Sequence, residues 1–274
     1  MLDHGPLSDA CADGKILPLY ILEPNLWRQP DVSYRHFLHL QHYLSQLDDM
    51  FIKRGAKLVI KVGEALPVLK SLATRHNVKA IFSHYETWNK FSKDRDSAIR
   101  KWTDENSIDW KEYQQNGVVR NLNSRDGWST LWHSHMRKKI YEVPEKILCV
   151  SEDSDNLPSC QDMSLEFDGF EPNSNLGKIE PGIVLKSFLT ERGENYQREM
   201  SGPLLSADSC SRLSTHIAFG TISIRTIFQR TQEQTQKKLD LVGDKLKNWR
   251  ASYNSFQKRL RWHCHFIQKL EDLR

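Results

Sequence analysis

The first half of the chain alternates short apolar runs with longer stretches of helical period. Residues 16–22 are almost wholly apolar and are closed by Pro24, the pattern of a strand buried on both faces. Ser33 opens a helical pattern as its N-cap, with Phe37, Leu40, Leu44, Leu47 and Phe51 on one face and Gly55 as the stop. A second strand follows at 58–62. Residues 64–76 are helical, with Pro67 tolerated in the first turn. A third strand at 78–83, a helix at 92–103 and a weaker strand at 108–113 complete the series. Strand and helix in that rhythm predict parallel pairing through right-handed crossovers, an open α/β sheet. No G-x-G-x-x-G or Walker sequence accompanies it, so ordinary dinucleotide or nucleoside-triphosphate binding is not indicated.

The pattern then changes. Trp128 and Trp132, four residues apart, share a helix face as core. Residues 149–181 turn acidic and rich in Ser, Asp, Asn, Pro and Gly, which predicts a linker, partly disordered. The last third reads as helix. Ser223 caps a segment to about 238 with Ile224, Ile227 and Phe228 on its buried side. Asp244 is expected to cap the final helix, with Trp249, Tyr253, Phe256, Leu260, His263, Ile267 and Leu270 as one apolar stripe. A coiled coil is one reading of that stripe, and a mixed globular core suits its aromatics better. The expected organisation is an α/β domain over 1–148, a linker over 149–181 and a helical domain over 182–274.

Composition narrows the setting. With 274 residues, 38% of them hydrophobic, the chain is long enough to bury a core in more than one domain. No long apolar run is present, and the first residues lack a basic segment followed by an apolar one, so neither a spanning helix nor a secretory signal is expected. Five cysteines, widely spaced and odd in number, suggest reduced thiols in a cytoplasmic or nuclear protein, not a secreted one. The net charge of +4 is unevenly placed: residues 145–180 hold nine acids and two bases, residues 181–274 nine acids and sixteen bases. The basic part suits a phosphate backbone or the solvated faces of helices.

Two histidine groupings have the wrong geometry for a metal. His36, His39 and His42 drift by about 60° per step around a helix, and His263-Cys264-His265 point about 100° apart. The richer stretch is 208–223, DSCSRLSTHIAFGTIS. Ser209, Ser211 and Ser214 supply hydroxyls around a helix start whose free N–H groups favour an anion such as phosphate. A serine-rich N-cap with nothing bound accounts for the same residues.

The string S-R-L-S-x-x-x-A-F-G-x-x-S, preceded by Tyr196 in Glu194-Asn195-Tyr196, resembles the flavin-phosphate segment of the photolyase and cryptochrome family. The resemblance extends to Asp3-His4-Gly5-Pro6-Leu7, to residues 17–24, and to Arg95-Asp96 following His84-Tyr85-Glu86. It implies a Rossmann-like α/β antenna domain followed by an incomplete all-α FAD-binding domain. It implies FAD held by Tyr196, Cys210, Ser211, Arg212, Leu213, Ser214 and Arg259, with Cys210 standing where the family usually has threonine. A second, antenna pigment of folate or deazaflavin type is a further family possibility.

Trp262 matches the family's tryptophan that stacks on a damaged base pair, with His263 beside it, so pyrimidine-dimer-containing DNA is the implied partner. The implied reaction is light-driven electron transfer from reduced FAD that splits cyclobutane pyrimidine dimers. Dimer photolyases often carry a glutamate at the place of Arg259 and an arginine at that of His263. That departure points towards a blue-light photoreceptor without repair. The family's opening strand and its later helices have no counterpart here, which points towards an inactive fragment. Nothing in the pattern specifies a membrane contact or an oligomeric state.

Overall fold

The computed structural model describes residues 1–169 and 179–273. The chain forms two compact units. The first comprises Asp3–Tyr113 and the described residues from Tyr141 to 169; the second comprises Gln114–Ile140 and the described residues from 179 onward.

The first unit opens with helix α1 (Gly5–Asp13), where the His4 ring accepts a hydrogen bond from the Leu7 N–H at 3.0 Å. Burial, and secondarily the neighbouring His84, push the His4 pKa down to about 3, which keeps the ring neutral and able to accept. The alternating elements then follow as expected: β1 (Leu19–Leu22), α2 (Tyr34–Ile52), β2 (Val59–Val62), α3 (Ala65–His76), β3 (Ala80–His84), α4 (Lys90–Glu105) and β4 (Asp109–Tyr113). β1 pairs with β2 in parallel, Leu19 opposite Val59 through Leu22 opposite Val62. β3 pairs with β4 in parallel, Ala80 opposite Asp109 through His84 opposite Tyr113. These are two parallel ladders rather than one continuous sheet. The strand–helix rhythm specifies parallel crossovers but not which strands become neighbours. Ala65, Ile99 and Trp102 bury the α3 and α4 faces against Ile21, Ile81 and Trp110.

The acidic stretch expected as a linker behaves otherwise over its described part. Ile16 bridges to Cys149 in parallel, donating to the Leu148 carbonyl at 2.9 Å and accepting from Val150 at 3.0 Å. Further on, the Ser154 hydroxyl accepts from the Ile60 N–H at 3.0 Å and the Asp155 carboxylate from the Val62 N–H at 2.8 Å. The Asp155 N–H donates to the Ile60 carbonyl at 2.8 Å. The Glu152 side chain is 3% exposed and meets Lys61 at 2.9 Å, His76 at 2.6 Å and Arg75. Residues read as solvated polar spacer therefore close the outer edge of β2 and bury an ion-pair cluster. Residues 170–178 of the expected linker lie outside the described residues.

The expected first domain, 1–148, also differs: residues 114–140 pack in the second unit. There, α5 (Trp128–Met136) contributes Trp128, Trp132 and Met136 to one core. The other elements are α6 (Pro181–Thr190), the one-turn helices α7 (Tyr196–Glu199), α8 (Ser206–Ser209) and α9 (Ser214–Ala218), α10 (Ile224–Lys237) and α11 (Gly243–Asp272). Leu185, Phe188, Leu213, Ile227, Phe228, Trp249, Tyr253 and Phe256 fill that core. Ser223 caps α10 as expected, accepting from the Thr226 N–H at 2.9 Å. Two other expected caps do not form. Ser33 occupies the N-cap of α2 with its hydroxyl unbonded, and α11 begins one residue before Asp244, which lies in its first turn.

The α11 stripe also needs correction. Trp249, Tyr253, Phe256 and Leu260 are buried, but the seam continues through Cys264 and Gln268, leaving His263 and Ile267 half-buried and Leu270 56% exposed. A strict four–three alternation drifts ~20° per heptad on a straight helix, so a helix of 30 residues carries the later positions off the packed face. Among the described residues no helix is long and apolar enough to cross a membrane.

Two outcomes follow from this packing. Lys61 first, then His76 and Arg75, hold the Glu152 carboxyl down to about 2 from its ordinary 4.5. A depressed carboxyl pKa gives stability that is complete above 4.5 and lost as pH falls towards about 2. Denaturant midpoints of the parent should fall through that window, and Glu152→Gln should flatten the fall; an equal fall in both would exclude this cluster as its source. Gly117 is the second case. A Cβ there would stand 1.9 Å from Trp132 Cδ1, while its carbonyl accepts from Trp128 Nε1 at 3.0 Å. Gly117→Ala should destabilise the helical unit by about 3 kcal/mol, the upper end for an overpacked core. An unchanged denaturation curve would contradict that packing.

Candidate functional site

The stretch singled out in sequence forms a turn between two short helices. α8 ends at Ser209, Cys210 is extended, Arg212 takes the left-handed conformation at φ +60°, and Leu213 returns to the helical region before α9. A non-glycine residue at positive φ carries backbone strain of about 1–2 kcal/mol. The Cys210 N–H donates to the Ser206 carbonyl at 3.2 Å, and the Ile217 N–H to the Leu213 carbonyl at 2.9 Å. Between them, the N–H groups of Ser211, Arg212, Leu213 and Ser214 have no partner among the described residues. Successive N–H groups around a left-handed residue followed by a right-handed one form a concavity suited to an anion. Ser211 is half-buried, while Arg212 and Ser214 are exposed.

Tyr196 and Leu213, expected as direct flavin contacts, lie in the core. Leu213 is 1% exposed, and Tyr196 is 7% exposed with its ring edge-on to Phe188 and Phe256 at 5.4 and 5.9 Å. Burial, and then Cys210, raise the Tyr196 pKa, with Arg259 acting in the opposite sense. Cys210 and Met200 pack against the core cluster that holds Tyr196, and the Arg259 guanidinium reaches the Met200 sulfur at 3.9 Å. The turn holds backbone donors without partners among the described residues, serine hydroxyls and the Arg212 guanidinium, whose Nε and Nη2 donate to the Ala207 carbonyl and whose charge remains beside the turn, a set that fits a diphosphate.

One residue that the sequence reading passed over belongs to this turn. Arg192 lies in a 3-10 turn (Arg192–Asn195) ahead of α7. Its guanidinium donates to the carbonyls of Asp208 at 2.8 Å, Cys210 at 2.6 Å and Ser211 at 3.4 Å, and to the Ser187 hydroxyl at 2.8 Å. Nothing in its spacing signals this, because its partners are backbone atoms, which every residue type shares.

The remaining candidates sit on α11. The Arg259 guanidinium carbon lies 4.7 Å from the Trp262 ring centre, and Trp262 is 47% exposed. His263 is half-buried, and burial lowers its pKa. No hydrogen bond, ion pair or ring contact joins Trp262 or His263 to Ser211–Ser214 among the described residues.

In the first unit, Arg95 gathers three carboxylates near the carboxyl ends of β1 and β3: Glu23 at 2.8 Å, Glu86 at 2.9 Å and Asp96 at 2.8 Å. Glu23, 3% exposed, also accepts from the Ala65 N–H at 3.0 Å at the start of α3. Burial raises the Glu86 pKa against the pull of Arg95. The carboxyl ends of parallel strands are where open α/β sheets bind ligands. Here the Arg95 guanidinium is already engaged by the protein's own acids.

The chain is similar to known proteins over most of its length. A family model described as DNA photolyase matches residues 1–127. A deoxyribodipyrimidine photo-lyase of Halobacterium salinarum is 23% identical over 245 residues, covering 83% of this chain and 48% of that protein. A chloroplastic/mitochondrial cryptochrome DASH of Arabidopsis thaliana is 22% identical over 280 residues, covering 87% of this chain and 46% of that protein. The chain thus spans about half the length of the curated relatives it matches. Among solved structures, a Synechocystis cryptochrome superposes with a TM-score of 0.77 at 19% identity, covering 97% of this chain and 58% of that one. An archaeal photolyase from Sulfolobus tokodaii, solved with two FAD molecules, gives a TM-score of 0.61 at 23% identity, covering 97% and 56%. Fold, family model and curated relatives point the same way: residues 1–127 match the DNA photolyase family model, and over most of its length the chain is similar to photolyases and cryptochromes.

Proposed function

We propose that this chain carries the antenna unit and the diphosphate-holding part of a FAD-dependent photolyase acting on pyrimidine dimers in DNA. The observation that carries the reading is the row of four N–H groups from Ser211 to Ser214 that have no partner among the described residues, flanked by serine hydroxyls and Arg212. Ser211, Arg212 and Ser214 would hold the diphosphate, Leu213 would contribute its backbone N–H, Cys210 would offer only the weak donor of its thiol, and Tyr196 and Arg259 would stand behind them. When bound, FAD supplies light absorption and the transferable electron. The chain's own residues orient the cofactor and offset the diphosphate charge. Trp262, exposed and backed by Arg259, offers a flat face on which an unstacked pyrimidine can lie, with His263 beside it. A folate- or deazaflavin-type pigment is proposed for the first unit.

One observation favours a second reading, a blue-light photoreceptor without repair. The position facing Trp262 is occupied by the guanidinium of Arg259, a donor, where a carboxylate would accept hydrogen bonds from a pyrimidine.

Two measurements test these readings, the first the flavin site that both share and the second the choice between them. Hydrogen bonds to a charged group are worth about 1.5–3 kcal/mol each. Ser211→Ala combined with Ser214→Ala should therefore weaken FAD binding about 100-fold or more in a fluorescence titration. Unchanged affinity would remove the serines from the site. Base–aromatic stacking is worth about 1–3 kcal/mol, so Trp262→Ala should lower affinity for dimer-containing oligonucleotide by roughly 5- to 150-fold and leave undamaged DNA unaffected. A parent protein that binds damaged and undamaged DNA equally would favour the photoreceptor reading.

A further inference from the structure

We infer that Arg192 is the positioning residue of the diphosphate turn, holding its carbonyls on one side so that its N–H groups are presented on the other. The inference rests on the flavin reading of that turn.

A peptide unit is planar, so the carbonyl of one residue and the N–H of the next point in opposite directions. Arg192 draws the carbonyls of Asp208, Cys210 and Ser211 onto a single guanidinium, at 2.8, 2.6 and 3.4 Å. The N–H groups of Ser209, Ser211 and Arg212 must then face away from it. Ser209 uses its N–H within the chain, donating to Leu205 at 3.1 Å. Ser211 and Arg212 do not, and theirs are the first two of the four free donors. The same grip fixes both peptide units that lead into Arg212, whose left-handed backbone a non-glycine residue does not adopt unaided.

Arg192 is itself anchored from the opposite side. It donates to the Ser187 hydroxyl at 2.8 Å and reaches the Val184 carbonyl at 3.5 Å, both on α6. The turn is thereby referenced to a helix whose Leu185, Phe188 and Leu189 are buried. Gly193 makes this approach possible: a Cβ there would stand 2.5 Å from the Phe188 carbonyl oxygen. A planar fork with five donors suits several fixed acceptors at once, which the single ammonium of lysine does not match. Burial and the nearby Arg212 lower the Arg192 pKa, with Asp208 only partly offsetting them, so a bound dianion would also relieve two crowded guanidinium charges.

The test uses the full chain with FAD and riboflavin as paired probes, titrated by flavin fluorescence. Riboflavin shares the ring system but lacks the diphosphate, so the ratio of the two affinities isolates the turn. Arg192→Gln should lower FAD affinity at least tenfold, leave riboflavin within twofold, and raise amide exchange at residues 207–214. Arg192→Lys should recover part of the FAD preference. Losing both ligands together, or keeping the parent's FAD preference in Arg192→Gln, would overturn the role given to Arg192. A parent protein with no preference for FAD over riboflavin would instead overturn the flavin reading of the turn, and the inference with it. If Arg192→Gln does not fold, Arg192→Lys carries the test, with a severalfold loss of FAD preference expected and an undiminished preference refuting the idea.

Discussion

The outer edge of β2 sets the terms for the first unit. In a parallel ladder, alternate residues of a strand bond to one neighbour and the residues between them face the other side. Val59 and Gly63 donate to β1, to Pro18 and Leu22, so Ile60 and Val62 turn outward. An open row of that kind is a template for pairing with another chain. The chain closes it with its own Ser154 and Asp155, and Glu152 fixes the closing segment by an ion-pair cluster around Lys61. Removing water from such groups is tolerable only because every charge in the cluster has a partner.

The same accounting of backbone groups, with the opposite outcome, describes the turn at Ser211–Ser214. Here the carbonyls are consumed by Arg192 and the donors are left over. In a stable core an unused N–H is a cost; at a half-exposed turn it is solvated and remains available to an anion. The two units thus solve one problem in two ways: the edge of β2 is closed by the chain's own side chains, and the turn keeps its donors open.

This contrast explains what could be read from the sequence. Strands at 19–22, 59–62, 80–84 and 109–113, and the helices between them, were legible because an apolar run and a helical period leave distinct patterns. The motif around Ser211 was legible through its resemblance to a family. The role of residues 149–155 was not, since a Ser or Asp that caps a strand edge has the same composition as one that faces water. Arg192 was invisible for a related reason: its acceptors are carbonyl oxygens. The end of the α11 stripe was misread at Leu270, where a repeat of 3.5 residues was extended along a straight helix of 3.6.

The aromatic contacts of Tyr196 complete the physical picture of the helical unit. Its ring stands edge-on to Phe188 of α6 and to Phe256 of α11, so one side chain joins the helix that anchors Arg192 to the helix that carries Arg259 and Trp262. Edge-to-face pairs of this kind fix relative orientation as well as burying area. The Ser252 hydroxyl adds to the joint, accepting from the Gln197 N–H at 3.1 Å and donating to the Glu194 carbonyl at 2.8 Å. The turn with unpartnered N–H groups and the helix that carries Trp262 are therefore joined through one set of packed side chains.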